Sequence, residues 1–197
     1  MSHNTWIHRS VRAAVRPLAG TRVTPNQITS ARLISGLVSA SLFAIGTAFW
    51  NHVGAALFVI SMLLDRADGE LARASGKSSA WGHRYDLISD ALSNTLVFVG
   101  IGIGLRNSYL GYWAIPLGMV AGVAVMFILN LVMRIEKTRG ARAAELKPLG
   151  GFDADDAMIF VPVAMLLDAG PALVMVASVC TPVVFVFMLW HFRNDNA

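Results

Sequence analysis

The chain has 197 residues, 55% of them apolar and only 14% charged, with a mean hydropathy of +0.58 and a formal net charge of +4. Soluble chains carry roughly 25% charge, so this composition excludes an ordinary water-soluble globule and points to an integral membrane protein. A charge balance this small gives no reason to expect a nucleic-acid partner. The single cysteine, Cys180, excludes a disulfide framework and a redox motif. The first 25 residues have no apolar core, so no secretory signal is expected. One all-α domain, residues 1–197, accounts for the length: an N-terminal segment, 1–23, and a bundle of six transmembrane helices, 24–193.

Residues 6–18 carry Trp6, Ile7, Val11, Ala14, Val15 and Leu18 with Arg9, Arg12 and Arg16 between them. That spacing predicts an amphipathic helix lying on the membrane surface. Thr24-Pro25-Asn26-Gln27 then reads as a helix start, with Thr24 as cap, Pro25 at the first helical position and Gln27 completing a capping box. The first span is expected to reach about Trp50. Arg32 lies near its beginning, where it either snorkels to the surface or faces a site. Asn51 and His52 are expected to form a tight turn, followed by a second span from about Val53 to Ala74.

The second and third spans hold the chemistry. Asp65 and Asp68 are three residues apart, and Asp86 and Asp90 are four apart. On helices each pair shares a face, with Cβ atoms about 5–6 Å apart. Gly69 and Ala72 fall beside the first pair and Gly82 beside the second, so each helix shows a stripe of acids and small residues. The link between the helices, Ser75 to Ala80, is short and polar. The third span, from about Trp81 to Leu105, therefore runs antiparallel to the second. Asp65 lies ~20 Å of helical rise beyond Asn51, within a hydrocarbon layer of roughly 30 Å. A carboxylate at that depth is costly and by default functional. Four converging carboxylates need compensation, and divalent cations supply it. An all-oxygen donor set suits Mg²⁺ or Mn²⁺ over Zn²⁺. Two such ions about 3.5–4 Å apart form the usual clamp for displacement at phosphorus. Arg73 offers a planar fork for a phosphate oxygen.

The full pattern, Asp65-x2-Asp68-Gly69-x2-Ala72-Arg73-x8-Gly82-x3-Asp86-x3-Asp90, resembles the complete signature of the CDP-alcohol phosphotransferases, with no position departing. The Thr-Pro-Asn start followed by Arg32 is also similar to the beginning of that family's first helix. The resemblance implies a six-helix membrane enzyme that moves a substituted phosphoryl group, phosphatidyl for a CDP-diacylglycerol donor, to an acceptor alcohol and releases CMP. It implies Asp65, Asp68 and Asp86 as metal ligands, and Asp90 as general base with a contact to the second metal. Asp68, Gly69, Ala72, Arg73 and Gly82 are implied as nucleotide-site residues. A role in phospholipid biosynthesis and a homodimer are further expectations of the resemblance.

The fourth span is expected from about Leu110 to Val132. The polar stretch after it carries Arg134, Lys137, Arg139, Arg142 and Lys147. With Arg193 after the sixth span, these are candidates for binding a phosphorylated acceptor such as inositol phosphate or glycerol phosphate. Juxtamembrane basic residues usually meet anionic lipid head groups, and that is the stronger reading of them. Asp153 reads as a cap of the fifth helix, with Asp155 and Asp156 at its positive end. If they face the acceptor they disfavour a dianion, which leaves open a small polar CDP-alcohol donor with a lipid acceptor. The fifth span, to Leu167, is short and contains Pro162. Asp168-Ala169-Gly170-Pro171 reads as a turn, and the sixth span runs to about Trp190.

Of 16 Lys and Arg residues only Arg106 falls on the side of the short turns. The positive-inside rule then puts both termini and the acid cluster on the cytoplasmic face of a bacterial or archaeal cytoplasmic membrane. Two other classes compete with the enzyme. Opposed intramembrane carboxylates also suit a divalent-cation transporter, although all four sit at one end of their helices. A scaffold in which the acids pair with Arg66, Arg73 and Arg84 leaves the spaced signature unexplained.

Overall fold

The computed structural model describes residues 15–139 and 158–194. Among these residues there are six α-helices and no strand: α1 Pro25–Ile45, α2 Ala48–Ser75, α3 Ala80–Gly104, α4 Ala114–Arg139, α5 Phe160–Leu166 and α6 Gly170–Asn194. Short 3₁₀ turns, Arg16–Gly20, Leu105–Asn107 and Gly111–Trp113, connect or precede them. All except α5 are long and apolar enough to cross a membrane. The all-α polytopic architecture is as the composition predicts. The surface helix expected over 6–18 lies mostly outside the described residues. Its end, from Val15, packs with Leu18, Ala19 and Val23 against Ile28 of α1 and Leu71 of α2.

The chain enters α1 through the capping box that the sequence predicts. Thr24 N donates to Gln27 Oε1 at 2.9 Å, and Gln27 N donates to Thr24 Oγ1 at 3.3 Å. The turn out of α1 differs from expectation. It falls at Gly46 and Thr47, and Asn51 and His52 lie in the first turns of α2. Gly46 has φ 80°, a left-handed conformation that glycine adopts without a Cβ penalty, and it caps α1. Thr47 is extended, and Asn51 N donates to its carbonyl at 2.9 Å, closing the first turn of α2. At the other end of the bundle, Ser79 caps α3 through a 2.9 Å bond from Gly82 N. α4 runs seven residues past the Val132 boundary, carrying Arg134 to Arg139 on the helix.

α1 packs on α2 and α3, α3 on α4, α4 on α6, and α5 on α2. Close backbone approach fixes α3 in the middle. Gly100 lies against the Ala40 carbonyl and Gly104 against that of Phe43, both on α1. On the other face, a methyl group at Gly122 of α4 would come 2.6 Å from the Thr95 carbonyl oxygen, and one at Gly102 would come 2.7 Å from that of Ala114. Small residues of this kind let membrane helices approach where no hydrophobic force drives them together. Interhelical hydrogen bonds add to the seam: Thr95 Oγ1 donates to Gly122 O at 2.9 Å, and Ser39 Oγ to Gly54 O at 2.8 Å. The apolar core, with Phe43, Phe58, Val97, Ile101 and Val174, fills the bundle behind this seam. Ile34, Phe49, Val176 and Val186 face outward, as lipid-facing side chains do.

Candidate active site

Because α1 begins, α2 ends and α3 begins at one end of the bundle, the acidic stripes of α2 and α3 meet there beside the first turns of α1. Carboxylate oxygens of Asp65, Asp68 and Asp86 lie within 4.8 Å of one another. Asp90, one turn further along α3, is outside that group. Its Oδ1 takes a hydrogen bond from Arg32 Nη2.

Asp68 is the buried member, 4% exposed, and Thr29 Oγ1 of α1 donates to its Oδ2 at 2.7 Å. That bond fixes the rotamer of a side chain that has Asp65 and Asp86 close beside it. Asp65, Asp86 and Asp90 are each about one-third exposed at the side chain. Asp65 and Asp90 line a cavity of about 30 Å³ together with Arg32, Ser61, Arg66 and Asn94. Asp65 and Asp90 thus border the cavity from two different helices.

Arg32 is the residue that the sequence reading left between two positions. It faces the site. Its guanidinium reaches three acids at once: Nε is 3.3 Å from Asp65 Oδ1, Nη1 is 3.4 Å from Asp86 Oδ1, and Nη2 bonds Asp90. Ser61 of α2 donates to the Arg32 backbone carbonyl at 3.0 Å, as does Ser35 at 2.8 Å, so the base of the side chain is tied to two helices. Arg32 pairs with Asp65, and Arg73 pairs with Glu70. Spacing alone does not show the contacts of Arg32, which join positions 33 to 58 residues apart.

The other signature residues fall around the acids. Arg73 extends from the end of α2, partly exposed, and Nη2 donates to Glu70 Oε1 at 3.0 Å. Glu70 is 2% exposed, so it anchors the arginine from within the protein. A methyl at Gly69 would meet that guanidinium at 3.5 Å. Ala72 is half-buried on the same turn. A methyl at Gly82 would come within 3.0 Å of Asn26 Oδ1, so this glycine lets α3 approach the start of α1. Ser30 and Tyr85 link the same two helices at 2.9 Å. Glu70, Thr29, Ser61 and Asn94 carried no signal of their own in the sequence.

Of the acceptor candidates, Arg134 is exposed on α4. The side chains of Lys137, Arg139, Arg142 and Arg193 lie outside the described residues, as do Lys147, Asp153, Asp155 and Asp156.

An all-carboxylate cluster of this size fits hard divalent ions such as Mg²⁺ and Mn²⁺, which prefer oxygen donors. Asp65, Asp68 and Asp86 are the residues that would hold them.

Comparison with known proteins agrees with the fold and the signature. The chain is 29% identical over 149 residues to the phosphatidylinositol phosphate synthase of Corynebacterium glutamicum, covering 75% of this chain and 61% of the relative. It is 34% identical over 90 residues to the archaetidylinositol phosphate synthase of Pyrococcus horikoshii, covering 45% of this chain and 46% of the relative. It is 28% identical over 135 residues to the bifunctional IPC transferase and DIPP synthase of Thermococcus kodakarensis, covering 68% of this chain and 29% of the relative. The matched stretch is thus less than two-thirds of each relative's own length. Among solved structures, the phosphatidylinositol phosphate synthase of Mycobacterium tuberculosis with CDP-DAG bound shares the fold, at a TM-score of 0.69 and 23% identity over 92% of this chain and 94% of that one. The same enzyme in complex with manganese and citrate gives a TM-score of 0.63 and 24% identity over 91% and 88%. The model of the CDP-alcohol phosphatidyltransferase family matches residues 22–190, which takes in every helix that builds the acid cluster. By that match the chain belongs to the CDP-alcohol phosphatidyltransferase family.

Proposed function

We propose that this chain is a membrane transferase of phospholipid biosynthesis. It moves a phosphatidyl group from CDP-diacylglycerol to an acceptor alcohol and releases CMP. The observation that carries the reading is the convergence of Asp65, Asp68 and Asp86 within 4.8 Å, on the complete spaced signature. In this reading Asp65, Asp68 and Asp86, with Asp90 beside them, would hold two divalent ions. The ions, when bound, neutralise the pyrophosphate and the charge that develops on the leaving CMP. Asp90 takes the proton of the acceptor hydroxyl as its oxygen forms a bond to the phosphorus that bears the lipid. The bond from that phosphorus to the oxygen bridging to CMP breaks, and CMP leaves with the electron pair. A carboxylate is a weak base for an alcohol, so positioning supplies much of the activation. Arg73, braced by Glu70, meets a donor phosphate, and Asp68, Gly69, Ala72 and Gly82 border the nucleotide.

The names of the relatives put a phosphorylated inositol first among acceptors to try. Arg134, Lys137, Arg139, Arg142 and Arg193 are the cations proposed to meet its phosphate. We further propose a single domain, a homodimer, and a site and termini that face the cytoplasm, from the bias of Lys and Arg. The test is a panel with purified protein, Mg²⁺ or Mn²⁺, CDP-diacylglycerol, CDP-choline or CDP-inositol, and several acceptors, with CMP measured. CMP that appears with CDP-diacylglycerol and is abolished by EDTA supports the reading. CMP from a small polar donor and a lipid acceptor would support the reverse pairing of substrates. Metal flux into liposomes with no CMP from any pair would support a cation transporter.

A further inference from the structure

The contacts of Arg32 go beyond what an ion pair needs for bundle stability. Its guanidinium donates hydrogen bonds to Asp86 and Asp90 of α3 and lies at ion-pair distance, 3.3 Å, from Asp65 of α2, with no hydrogen bond made by Nε. Two of those, Asp65 and Asp86, belong to the group whose oxygens converge within 4.8 Å. The side chain is 4% exposed, and its backbone is held by Ser35 and Ser61. Arginine keeps its charge at any working pH. Arg32 is therefore nearly cut off from water, and its positive charge sits among these acids. A cation that approaches Asp65 and Asp86 must share their lone pairs with the guanidinium or displace it. Divalent ions held by clustered carboxylates are tuned by the charge and rigidity of the donors, and a fixed competing cation alters both.

We propose that Arg32 is a built-in competitor of the divalent cations: by bridging Asp65, Asp86 and Asp90 it holds the acids of two helices together and lowers the affinity of the site for metal. Arg32 is in this sense a positioning residue, acting through the carboxylates. The inference rests on the metal-site reading above. Its consequence is that the site binds divalent ions measurably but less tightly than four carboxylates would alone, and oxygens brought by a phosphate-bearing substrate tighten that binding.

The test is Mn²⁺ binding to the purified full chain after EDTA treatment, followed by electron paramagnetic resonance without substrate, together with thermal unfolding at zero and saturating Mn²⁺. Wild-type protein, Arg32→Gln and Arg32→Lys are compared. Arg32→Gln should bind Mn²⁺ tighter by about fivefold or more, the low end of typical coupling between sites. It should unfold at lower temperature without metal and gain more from Mn²⁺ than the wild type does. Arg32→Lys keeps the charge, and so folds, but cannot span three acids; it should also bind tighter, by a smaller factor. A purely structural arginine would not raise metal affinity on removal. Unchanged or weaker Mn²⁺ binding in the folded Lys variant overturns the proposal, including the case in which only the Gln variant binds tighter, since that result reports general charge and not the bridge. Failure of the wild type itself to bind Mn²⁺ would instead defeat the metal-site reading.

Discussion

Thr29 of α1 donates its hydroxyl to Asp68 Oδ2 at 2.7 Å, joining the start of the first helix to the most buried of the clustered aspartates. Thr29 is itself 2% exposed, so no solvent replaces it if the hydroxyl is removed. Partners that orient ligands of a metal matter nearly as much as the ligands themselves. Thr29→Val preserves shape and removes the donor. We predict that CMP release or Mn²⁺ affinity falls about tenfold, at the low end for such partners, while the helices still assemble. Circular dichroism together with an activity titration against Mn²⁺ checks it.

Arg73 and Glu70 form a second linked pair at 3.0 Å, with the acid buried and the arginine partly exposed. Arg73→Lys keeps the charge and loses the planar fork. The predicted effect is a rise in the donor KM on the order of tenfold, with a smaller change in kcat, since the lost contact is made to bound donor as well as to the transition state. Glu70→Gln should shift KM in the same direction by loosening the guanidinium. Initial-rate kinetics in CDP-diacylglycerol decide the point, and an effect on kcat alone would contradict it.

The position of α3 depends on glycine contacts more than on large side chains. Gly122→Val would press its Cβ to 2.6 Å from the Thr95 carbonyl oxygen, where backbone and not a flexible side chain must yield. Overpacking of this kind costs about 1–3 kcal/mol. Thr95 is five residues beyond Asp90 on the same helix. Both melting temperature and CMP release are predicted to fall in this variant. Retention of both would show that α4 moves freely against α3.

Asp90→Asn tests the assigned base. The amide is nearly isosteric and can still meet Arg32 through its oxygen, so the helices should assemble and Mn²⁺ should still bind among Asp65, Asp68 and Asp86. CMP release is predicted to fall by about 10²-fold or more, the low end for removing a positioned base. A turnover rate near that of the wild type would remove Asp90 from that role.

Much of this site is legible before any coordinates, because helical spacing fixes which residues share a face. Asp65 with Asp68, and Asp86 with Asp90, could be placed on facing stripes from the 3.6-residue period and the short Ser75–Ala80 link. The capping box at Thr24 was equally local. The readings that missed involved competition between local signals. Asn51-His52 is the more polar pair, yet the chain turns at Gly46-Thr47, where glycine supplies the left-handed geometry and its backbone nests against Gly104. No sequence window contains Gly104 and Gly46 together. The same limit applies to Arg32. Its type and its place near the start of α1 were visible, but its three partners lie on two other helices and become neighbours only through the close packing of α1, α2 and α3. Glu70 sits at an unspecified position of the signature, and only its burial against Arg73 marks it.

The central claim is that α2 and α3 bring their carboxylates together to hold divalent ions where a donor pyrophosphate sits. Crystals of the protein soaked in Mn²⁺, with diffraction recorded at the manganese absorption edge, test this most directly. The account predicts anomalous density bounded by Asp65, Asp68 and Asp86. Manganese bound elsewhere, or the three side chains turned away from one another with no anomalous peak between them, would contradict it.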